Sequence, residues 1–442
     1  MKQVLHCVKS QHCLKVTLYD TFNSGGICHY THQLAEHLAR AGVAVTLVTT
    51  ENYELQHLPR SFKLQFLFRQ SWLRSFLHFE RAQLWDKVLP REGVIPGQYV
   101  PLQQAGKQST TCFLATLRKW RLRRNFLKAI LSFLWHRPHI IHFQWVADPT
   151  EDYYLIVLLQ LLRFKVIYTA HDVIPHEHDT PENRTAFHRI YQRVDKIIVH
   201  AKSIKKEITR LFNVDKNKIY VVPHGSNDLF FNHQNLSKKA ARQVLSIPIE
   251  KRVILFFGSI RRYKGLEYLI EAFKDVRDGV GNVMLLIAGQ IHDGEPAAFH
   301  YYSNLIGQLA CCDDVMCINE YIPLEQVKNY FSAADVVVLP YIQASQSGVL
   351  LSAYAAGRPV IVTDTGGLSE VVENGRSGYV IPSKDVKALV RAITDIMQEP
   401  TLRENMGTYA KYLAETTYSW RGVARRTMDV YRSFPVGFDR EH

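Results

Sequence analysis

The chain has 442 residues, of which 47% are hydrophobic and 21% are charged, as is typical of a globular protein. This length exceeds what one ordinary core supports, so we expect two domains or more. The seven cysteines form no paired CxxC motifs, so neither a zinc site nor a disulfide framework is indicated, and we expect reduced thiols. The N-terminus lacks the apolar core of a signal peptide, and the most apolar run, Leu155–Leu162, is too short to span a bilayer.

Nearly all of the basic charge lies in one segment. Residues 57–139 contain 15 Lys or Arg and 3 Asp or Glu, a balance of +12 within a net charge of +13. Aromatic residues are interleaved with these cations, among them Trp72, Trp120 and Trp135. This combination suits an anionic membrane surface, whereas no nucleic-acid motif accompanies it. A solvated basic face over a buried helix is the alternative.

The first predicted unit is a strand, a glycine turn, a helix and a second strand. The strands are Leu14–Asp20 and Val43–Thr49, and the helix is Ile27–Ala41. Gly25 and Gly26 lie where the helix begins, and a glycine pair lets the backbone approach a ligand closely. A plain tight turn is the alternative.

Residues 57–139 are less regular, with a predicted helix over Leu114–Trp135. Short apolar strands are then predicted at Ile140–Trp145, Lys165–His171, Lys196–His200 and Tyr220–His224, with helices between them. The polar stretch Asn227–Ser246 has no strand pattern, which places the domain boundary near Asn227.

His171 and Asp172 end one of these strands, in TAHDVIPHEHD. A histidine there can hydrogen-bond a sugar hydroxyl or a pyrophosphate oxygen, and the aspartate can orient it or bind a hydroxyl. His176 and His178 make a metal cluster conceivable, but Pro175 interrupts the spacing, so we favour hydrogen bonding over metal binding.

A second series of strands and helices begins at Arg252. The predicted strands are Arg252–Ser259, Val283–Gly289, Val315–Tyr321, Val336–Pro340, Val360–Thr363 and Tyr379–Pro382. Helices are predicted from Leu266, near Tyr302–Leu309, and at Leu324–Ala333, Val349–Ala356, Lys384–Met397, Leu402–Tyr412 and Trp420–Tyr431. Two such series imply two doubly wound α/β domains with parallel sheets, whose strand ends line a cleft between them.

Cationic and small residues in the second series are typical of a phosphate site. Arg261 and Lys264 lie three positions apart in GSIRRYKG, after a strand and before a helix, as a diphosphate requires; a solvated basic turn is the alternative. Ser347 and Gly348 precede a predicted helix whose first amides would face a phosphate. An ordinary α/β unit of other function also fits this last pattern.

Taken together, five segments resemble the family 4 glycosyltransferases, which have the two-domain GT-B fold. They are NSGGICHYTHQLAEHLARAGVAVTLVT, TAHDVIPHE, VHAKSIKKEI with VVPHG, LFFGSIRRYKGLEYLIEAF and SGVLLSAYAAGRPVIVTDTGGLSEVVENGRSGYV. The resemblance implies two Rossmann-like domains facing across a cleft. Residues 1–226 would form the acceptor side and residues 227–403 would bind the nucleotide sugar, while the helices within 404–442 would pack back on the first domain.

The resemblance also implies roles for residues in this cleft. Gly25 and Gly26 would approach the donor diphosphate and the acceptor. His171 would face the donor sugar near the reacting carbon. Arg261 and Lys264 would hold the diphosphate and stabilise charge on the leaving nucleotide.

Further donor-binding residues are implied in the second domain: Gly258, Ser347, Gly348, Val349 and Ser352. The amides of Ser347, Gly348 and Val349 would meet the phosphates at a helix start. The resemblance implies neither a metal ion nor a cofactor, since the cations and the helix dipole take the metal's place. The nucleotide sugar, linked to UDP or GDP, is then a substrate.

The sequence departs from the family pattern at the centre of this site. The family has two glutamates eight positions apart, and these positions hold Ala344 and Ser352. A serine donates one hydrogen bond but cannot accept a bidentate pair from a ribose diol. The family arginine after Gly258 is replaced by Ser259, with Arg261 as its substitute. These differences indicate a divergent subgroup with its own QSGV pattern.

We therefore expect a retaining, metal-independent hexosyltransferase that moves a hexose from a nucleotide sugar to a saccharide or lipid-linked acceptor in polysaccharide or glycolipid biosynthesis. A cytoplasmic location is expected, with peripheral contact to the anionic inner face of the cell membrane through residues 57–139 and no nucleic-acid binding. A nucleotide-sugar 2-epimerase of the same fold and a non-catalytic relative are the alternatives.

Overall fold

The computed structural model describes residues 13–68, 126–175, 179–231, 236–291, 300–302, 304–305, 307 and 314–434. Most of the basic segment and the first part of the helix predicted over Leu114–Trp135 lie outside these residues. The same holds for His176, for His178 and for part of the helix predicted near Tyr302–Leu309.

The first sheet has seven parallel strands in the order β3-β2-β1-β4-β5-β6-β7. They are β1 (Lys15–Tyr19), β2 (Ala44–Thr50), β3 (Lys63–Phe68), β4 (Ile140–Phe143), β5 (Lys165–Ala170), β6 (Lys196–Val199) and β7 (Ile219–Val221). Most are short β-branched or aromatic runs that are buried along nearly their whole length, as strands covered by helices on both faces must be.

The second sheet has six parallel strands in the order β10-β9-β8-β11-β12-β13. They are β8 (Arg252–Phe257), β9 (Val283–Ala288), β10 (Val315–Ile318), β11 (Val336–Leu339), β12 (Val360–Thr363) and β13 (Gly378–Ile381). The fold class predicted from the sequence is thereby confirmed: both sheets are doubly wound and Rossmann-like.

Helices cover both faces of each sheet. Those with described bounds are Gly25–Arg40, Pro149–Leu161, Pro181–Arg193, Lys202–Phe212, Lys238–Val244, Leu266–Val280, Leu324–Ala333, Gly348–Ala355, Leu368–Val371, Val386–Gln398, Pro400–Glu415 and Trp420–Arg432. Residues 126–136 are also helical. None of the described helices has both the length and the apolar composition needed to cross a bilayer.

One strand escaped the sequence analysis. β3 (Lys63–Phe68) lies in the basic segment that was predicted to be irregular. Among the described strands it lies at the edge of its sheet and pairs with β2. Its sequence, KLQFLF, mixes polar and apolar residues, because an edge strand need not be apolar throughout.

The order of strands reverses once in each sheet, and the reversal fixes where ligands can bind. The chain runs outward from β1 to β3 and then returns to the other side of β1 as β4; β8 and β11 are related in the same way. The loops after neighbouring strands leave in opposite directions at such a switch point, which opens a crevice at the carboxyl ends of the strands.

The last two helices pack on different sheets. Helix Pro400–Glu415 buries Ala410 and Leu413 in the core of the second sheet. Helix Trp420–Arg432 instead buries Trp420 and Tyr431 beside β1, in the core of the first sheet. The C-terminal segment therefore crosses from one half of the molecule to the other, while the domain boundaries given above stay a prediction.

Trp420 makes a close contact at this crossing. Its side chain is 1% exposed, and its Nε1–H donates to the carbonyl of Ser226. A Cβ at Gly225 would lie 2.4 Å from the Trp420 ring, so the backbone after β7 lies directly on the indole.

We expect Trp420→Ala to lower the free energy of unfolding by about 3–5 kcal/mol, because it leaves a large cavity in the first core. Urea unfolding followed by far-UV circular dichroism measures this. Tyr412→Ala is the matched control on the neighbouring helix, where the ring is 55% exposed, and should change stability by less than about 0.5 kcal/mol. Equal effects of the two substitutions would contradict the packing described.

Candidate functional site

The carboxyl ends of the two sheets face each other in the region that follows β7 and precedes helix Gly348–Ala355. A Cβ at Gly348 would lie 3.9 Å from His224 Cε1 and 3.3 Å from Asn227 Nδ2. Asn227 Nδ2 also donates to the Gly348 carbonyl at 3.0 Å. The predicted phosphate-binding helix start therefore lies against residues that directly follow the first sheet.

Lys264 lies beside this helix start. Gly258 has φ +97°, and a Cβ there would be 3.2 Å from Lys264 Nζ and 3.5 Å from Val349 Cγ2. The structure therefore brings together three residues that the sequence analysis had assigned to donor binding or catalysis. Gly265 allows this arrangement, because its φ is +62° and a Cβ there would be 2.2 Å from the Pro340 carbonyl.

The ammonium group of Lys264 is well buried, with 9% of the residue exposed. Burial, with a further contribution from the charge of Arg261, lowers the pKa of Lys264 to about 8. Arg261 is partly exposed and takes an extended backbone conformation just before the 3-10 turn Arg262–Lys264. The two predicted cations are thus close enough to repel each other, which an anion between them would relieve.

Helix Gly348–Ala355 begins one residue before its predicted start at Val349. Ser347 Oγ accepts a hydrogen bond from the Leu350 amide at 3.4 Å. The amides of Gly348 and Val349 lie in the first turn, so no carbonyl within the helix accepts a hydrogen bond from them. They are at the positive end of the helix dipole. With Lys264 alongside, this end of the helix is suited to an anion.

His171 lies across the cleft in the first domain, and the tautomer of its ring can be assigned from its partners. His200 Nδ1 is 2.9 Å from the Val222 carbonyl, which can only accept, so this nitrogen carries the proton. His200 Nε2 then accepts from His171 Nδ1, at 3.1 Å. His171 Nε2 is left as an acceptor, and it has no partner among the described residues.

Burial keeps this pair of rings neutral. His171 is 2% exposed, and burial together with the neighbouring histidines lowers its pKa well below the usual range. Burial likewise lowers the pKa of His200 to about 4. The sequence analysis missed His200 and His224 as members of the site. His200 directly follows a strand, as His171 does, and His224 lies three residues after one.

The Gly25–Gly26 turn is open, but its first amide is already used. Gly25 has φ +83°, and a Cβ on either glycine would meet no atom within 4 Å. The Gly25 amide donates to Glu54 Oε2 at 3.2 Å, and His29 Nε2 lies 2.8 Å from the same oxygen. A carboxylate thus occupies part of the helix start that was predicted to receive phosphate.

Glu54 also links the two halves of the molecule. Tyr321, which follows β10, donates its hydroxyl proton to Glu54 Oε1 at 2.6 Å. Burial opposes ionisation of Glu54, but the bonds from His29, Tyr321 and Gly25 prevail and lower its pKa to about 2. Neither residue could be found from the sequence, because Glu54 is in a loop and its partners are distant along the chain.

A second carboxylate makes a similar contact at the start of helix Lys202–Phe212. Glu370 accepts from the amides of Lys202 at 2.8 Å and Ser203 at 2.6 Å. The helix has no side-chain cap of its own, so Glu370 supplies one from the second domain. Nearby, a Cβ at Gly367 would lie 2.7 Å from Ala201 Cβ, which shows how closely the backbones approach.

The two positions that lack the expected glutamates are both buried. Ser352 is 2% exposed; its hydroxyl donates to the Gly348 carbonyl at 2.9 Å and accepts from Asn227 Nδ2 at 3.0 Å. Ser352 is therefore committed to a contact with Asn227, at the predicted domain boundary. Ala344 is 8% exposed, and its carbonyl would lie 1.6 Å from a Cβ at Gly366, so the glycine turn packs directly on it.

Within the part of the chain that the structure describes, no group of three His, Cys, Asp or Glu side chains is arranged to hold a metal ion. The metal cluster considered above needed His176 and His178, which lie outside the described residues.

Two family models match the chain and agree with this geometry. Residues 25–225 match the glycosyl transferase 4-like domain, and residues 237–412 match the glycosyl transferases group 1. The chain belongs to the family 4 glycosyltransferases of GT-B fold. The resemblance identified from the sequence is thereby confirmed, and together the two models span both sheets.

Individual relatives support the same assignment. The chain is 30% identical over 239 residues to an uncharacterized glycosyltransferase of Methanocaldococcus jannaschii, a match that spans 53% of the chain and 59% of that protein. It is 25% identical to a D-inositol 3-phosphate glycosyltransferase of Corynebacterium urealyticum, with 97% and 95% covered. Anabaena HepE, in complex with UDP and glucose, superposes with a TM-score of 0.69 at 15% identity, covering 95% of this chain and all of HepE.

The binding of nucleotide diphosphate should depend on the charge of Lys264. Because its pKa is lowered to about 8, the ammonium form is present below pH 8 and is lost as the pH rises above it. Calorimetric titration with UDP and GDP should show weaker binding from about pH 7 to about pH 9, by up to about tenfold per pH unit. Lys264→Met should bind weakly with no such pH dependence.

Lys274→Met is the control for this titration, since Lys274 is an exposed lysine of the same domain. It should bind as the wild type does at every pH. Wild-type binding that stays constant across this range would contradict the placement of Lys264 at the diphosphate.

Proposed function

We propose that this glycosyltransferase transfers a hexose from a UDP- or GDP-linked donor to a saccharide or lipid-linked acceptor, in the synthesis of a polysaccharide or glycolipid. The observation that carries the proposal is the position of Lys264 Nζ, beside Gly258 and Val349 at a helix start that itself faces His224. A buried cation and a helix N-terminus together supply what a departing diphosphate requires.

The reaction can be written with these groups. The acceptor oxygen forms a bond to the anomeric carbon while the bond from that carbon to the diphosphate oxygen breaks. The acceptor proton passes to the leaving diphosphate, whose charge Lys264, Arg261 and the amides of Gly348 and Val349 stabilise. Attack from the same face as departure retains the configuration, and no carboxylate nucleophile is required.

His171 has a separate part in this proposal. Its Nε2 is an acceptor with no partner among the described residues, held in place by His200. It would accept a hydrogen bond from a hydroxyl of the donor sugar near the reacting carbon. The proposal needs no metal ion, because the two cations and the helix dipole neutralise the diphosphate.

The relatives support a nucleotide-sugar donor of this kind. HepE is described with UDP and glucose, which makes UDP-glucose a natural first donor to test. The D-inositol 3-phosphate glycosyltransferases are named for a polyol acceptor. Neither name decides the donor or acceptor of this chain, since Ala344 and Ser352 alter the donor side.

A panel of UDP- and GDP-hexoses with saccharide and lipid-linked acceptors tests the proposed function. We expect transfer with at least one donor, and a product whose anomeric configuration, read by proton NMR, equals that of the donor. Arg261→Ala should lower kcat/KM by about a hundredfold or more, whereas Arg391→Ala, an exposed arginine of the same domain, should not.

The other outcomes separate the alternatives. A C2-epimerised donor without acceptor would identify a 2-epimerase instead. Nucleotide binding without transfer, hydrolysis or epimerisation would identify a non-catalytic relative. Full activity of Arg261→Ala would contradict the diphosphate role, and an inverted anomer would contradict same-face attack.

We also propose peripheral contact with an anionic membrane. Helical residues 126–136 expose Leu127, Leu131, Leu134 and Trp135, which are 57%, 56%, 43% and 85% exposed. Spacings of three and four place them on one apolar face of the helix. This helix belongs to the segment with a balance of +12, so apolar insertion and attraction to anionic lipid would act together.

Co-sedimentation with vesicles tests the membrane contact. We expect binding to vesicles that contain phosphatidylglycerol, little binding to phosphatidylcholine alone, and release by salt. Trp135→Ser should weaken binding, because it removes the most exposed aromatic ring of the helix. Tyr412→Ser is the control, and binding that is independent of anionic lipid would overturn the contact.

A further inference from the structure

Four neighbouring strands of the first sheet end in buried polar side chains. Strands β2, β1, β4 and β5 lie side by side, and Thr50, Asp20, Gln144 and His171 lie at their carboxyl ends. These residues are 8%, 0%, 0% and 2% exposed. They form one row along the edge that borders the cleft, and we call it the polar row.

The polar row concentrates hydrogen-bonding atoms that have no partner. Seven buried side-chain nitrogen or oxygen atoms lack one among the described residues, and five of these belong to the row. They are Asp20 Oδ2, Thr50 Oγ1, both Gln144 side-chain atoms and His171 Nε2. Each such atom costs about 1–3 kcal/mol. His171 Nε2 already has the donor sugar as its proposed partner, so the remaining atoms at this edge point to a second ligand that supplies the missing bonds.

Asp20 and Gln144 are directly opposite each other in the sheet. Tyr19 pairs with Phe143, and the next amide, that of Gln144, donates to the Tyr19 carbonyl at 2.9 Å. Asp20 Oδ1 accepts from the Phe22 amide at 2.9 Å. The nearby Thr31 hydroxyl donates to the Ile27 carbonyl at 2.9 Å, and Asp20 Oδ2 has no partner among the described residues. The two side chains therefore start from adjacent positions on the same face of the sheet.

An aromatic pair lies next to this polar row. The rings of Phe22 and Trp145 meet edge to face, with 5.4 Å between their centroids. Phe22 is 36% exposed, and Trp145 is half-buried. Aromatic rings beside a few convergent polar groups are typical of sites that bind small organic ligands.

We propose that Asp20 and Gln144 bind an uncharged, hydroxyl-rich unit of the acceptor, with Phe22 and Trp145 as the apolar wall. The proposal rests on the proposed function, since it assigns the second substrate of that reaction. The glutamine amide can both donate to and accept from hydroxyls, and the carboxylate accepts from them.

The charge of Asp20 favours the binding of a neutral acceptor unit over a phosphorylated one. A phosphate at the polar row would lie against a buried carboxylate, and like charges at short range are strongly unfavourable in a buried site. Burial already raises the pKa of Asp20 to about 6, so the surroundings disfavour further negative charge. A sugar or polyol hydroxyl instead relieves this carboxylate by donating to it.

Direct sugar binding tests the row without requiring transfer. Neutral monosaccharides and polyols, and their monophosphates, are titrated against the full chain in the presence of UDP, with saturation-transfer NMR as the readout. We expect neutral ligands to bind and Gln144→Leu to weaken this binding by about tenfold. The nucleotide affinity and the thermal midpoint of Gln144→Leu should not fall, because unpaired polar atoms are replaced by a side chain of similar size.

Gln243→Leu is the control, with the same chemical change at an exposed glutamine of helix Lys238–Val244, and should bind sugars as the wild type does. Asp20→Asn should raise the affinity for the monophosphates relative to the neutral ligands. Binding of monophosphates alone, or neutral binding unchanged in Gln144→Leu, would overturn the proposal. A lower thermal midpoint with unchanged sugar binding would show a structural role for Gln144 instead.

These outcomes are distinct from failure of the proposed function. If the wild-type chain binds neutral sugars at the polar row but transfers no hexose, this inference holds and the proposed reaction is wrong. If the wild-type chain transfers hexose and the acceptor KM is unchanged in Gln144→Leu, the proposed reaction holds and this inference is wrong.

Discussion

The side chain of Asn227 connects the two helices whose starts face the cleft. Its Nδ2 donates to the Gly348 carbonyl and to Ser352 Oγ, both at 3.0 Å, and its Oδ1 accepts from Gln33 Nε2 at 3.5 Å. Gln33 belongs to helix Gly25–Arg40, so a single amide joins that helix to helix Gly348–Ala355. This contact is one of several that hold the two helix starts on opposite sides of the cleft, together with those of Glu54 and Glu370.

The remaining contacts across the cleft are also polar, and they satisfy helix ends rather than bury apolar area. Glu54 accepts from the first amide of one helix and from Tyr321 of the other domain, while Glu370 caps a helix of the first domain. Carboxylates at helix starts are favourable there because of the helix dipole. Small polar interfaces between domains permit relative motion. The hydrophobic attachment between the halves is instead made by the helix that begins at Trp420.

The fold could be predicted almost entirely from the sequence, because buried parallel strands are continuous apolar runs and helices alternate with them. Only the edge strand Lys63–Phe68 was missed among the described strands, for the reason that its outer residues need not be apolar. Within the site, glycines and cations next to strands could be found by position alone. Lys264 was found in this way, but its burial and its position beside Gly258 depend on the pairing of β8 with β11, which the local sequence does not show.

The residues that sequence reasoning missed are those whose role is set by a distant partner. Glu54 links the two halves through its contacts with His29 and Tyr321. His200 orients His171 because its own ring is fixed by the Val222 carbonyl. Asp20 and Gln144 carried the same signal as His171, a polar residue at a strand end, yet nothing in the sequence shows which strands are neighbours in the sheet. Strand order, rather than local pattern, turns these separate positions into one polar row.

Serine at position 352 follows from the contact made by Asn227. The Ser352 hydroxyl donates to the Gly348 carbonyl and accepts from the Asn227 amide, so one atom satisfies a partner of each kind. An ionised carboxylate on the same atoms could accept from Asn227 but would leave the Gly348 carbonyl facing another acceptor. The Ser352 hydroxyl and the Asn227 amide are therefore two parts of one arrangement, which fastens the start of helix Gly348–Ala355 to the segment that follows the first sheet.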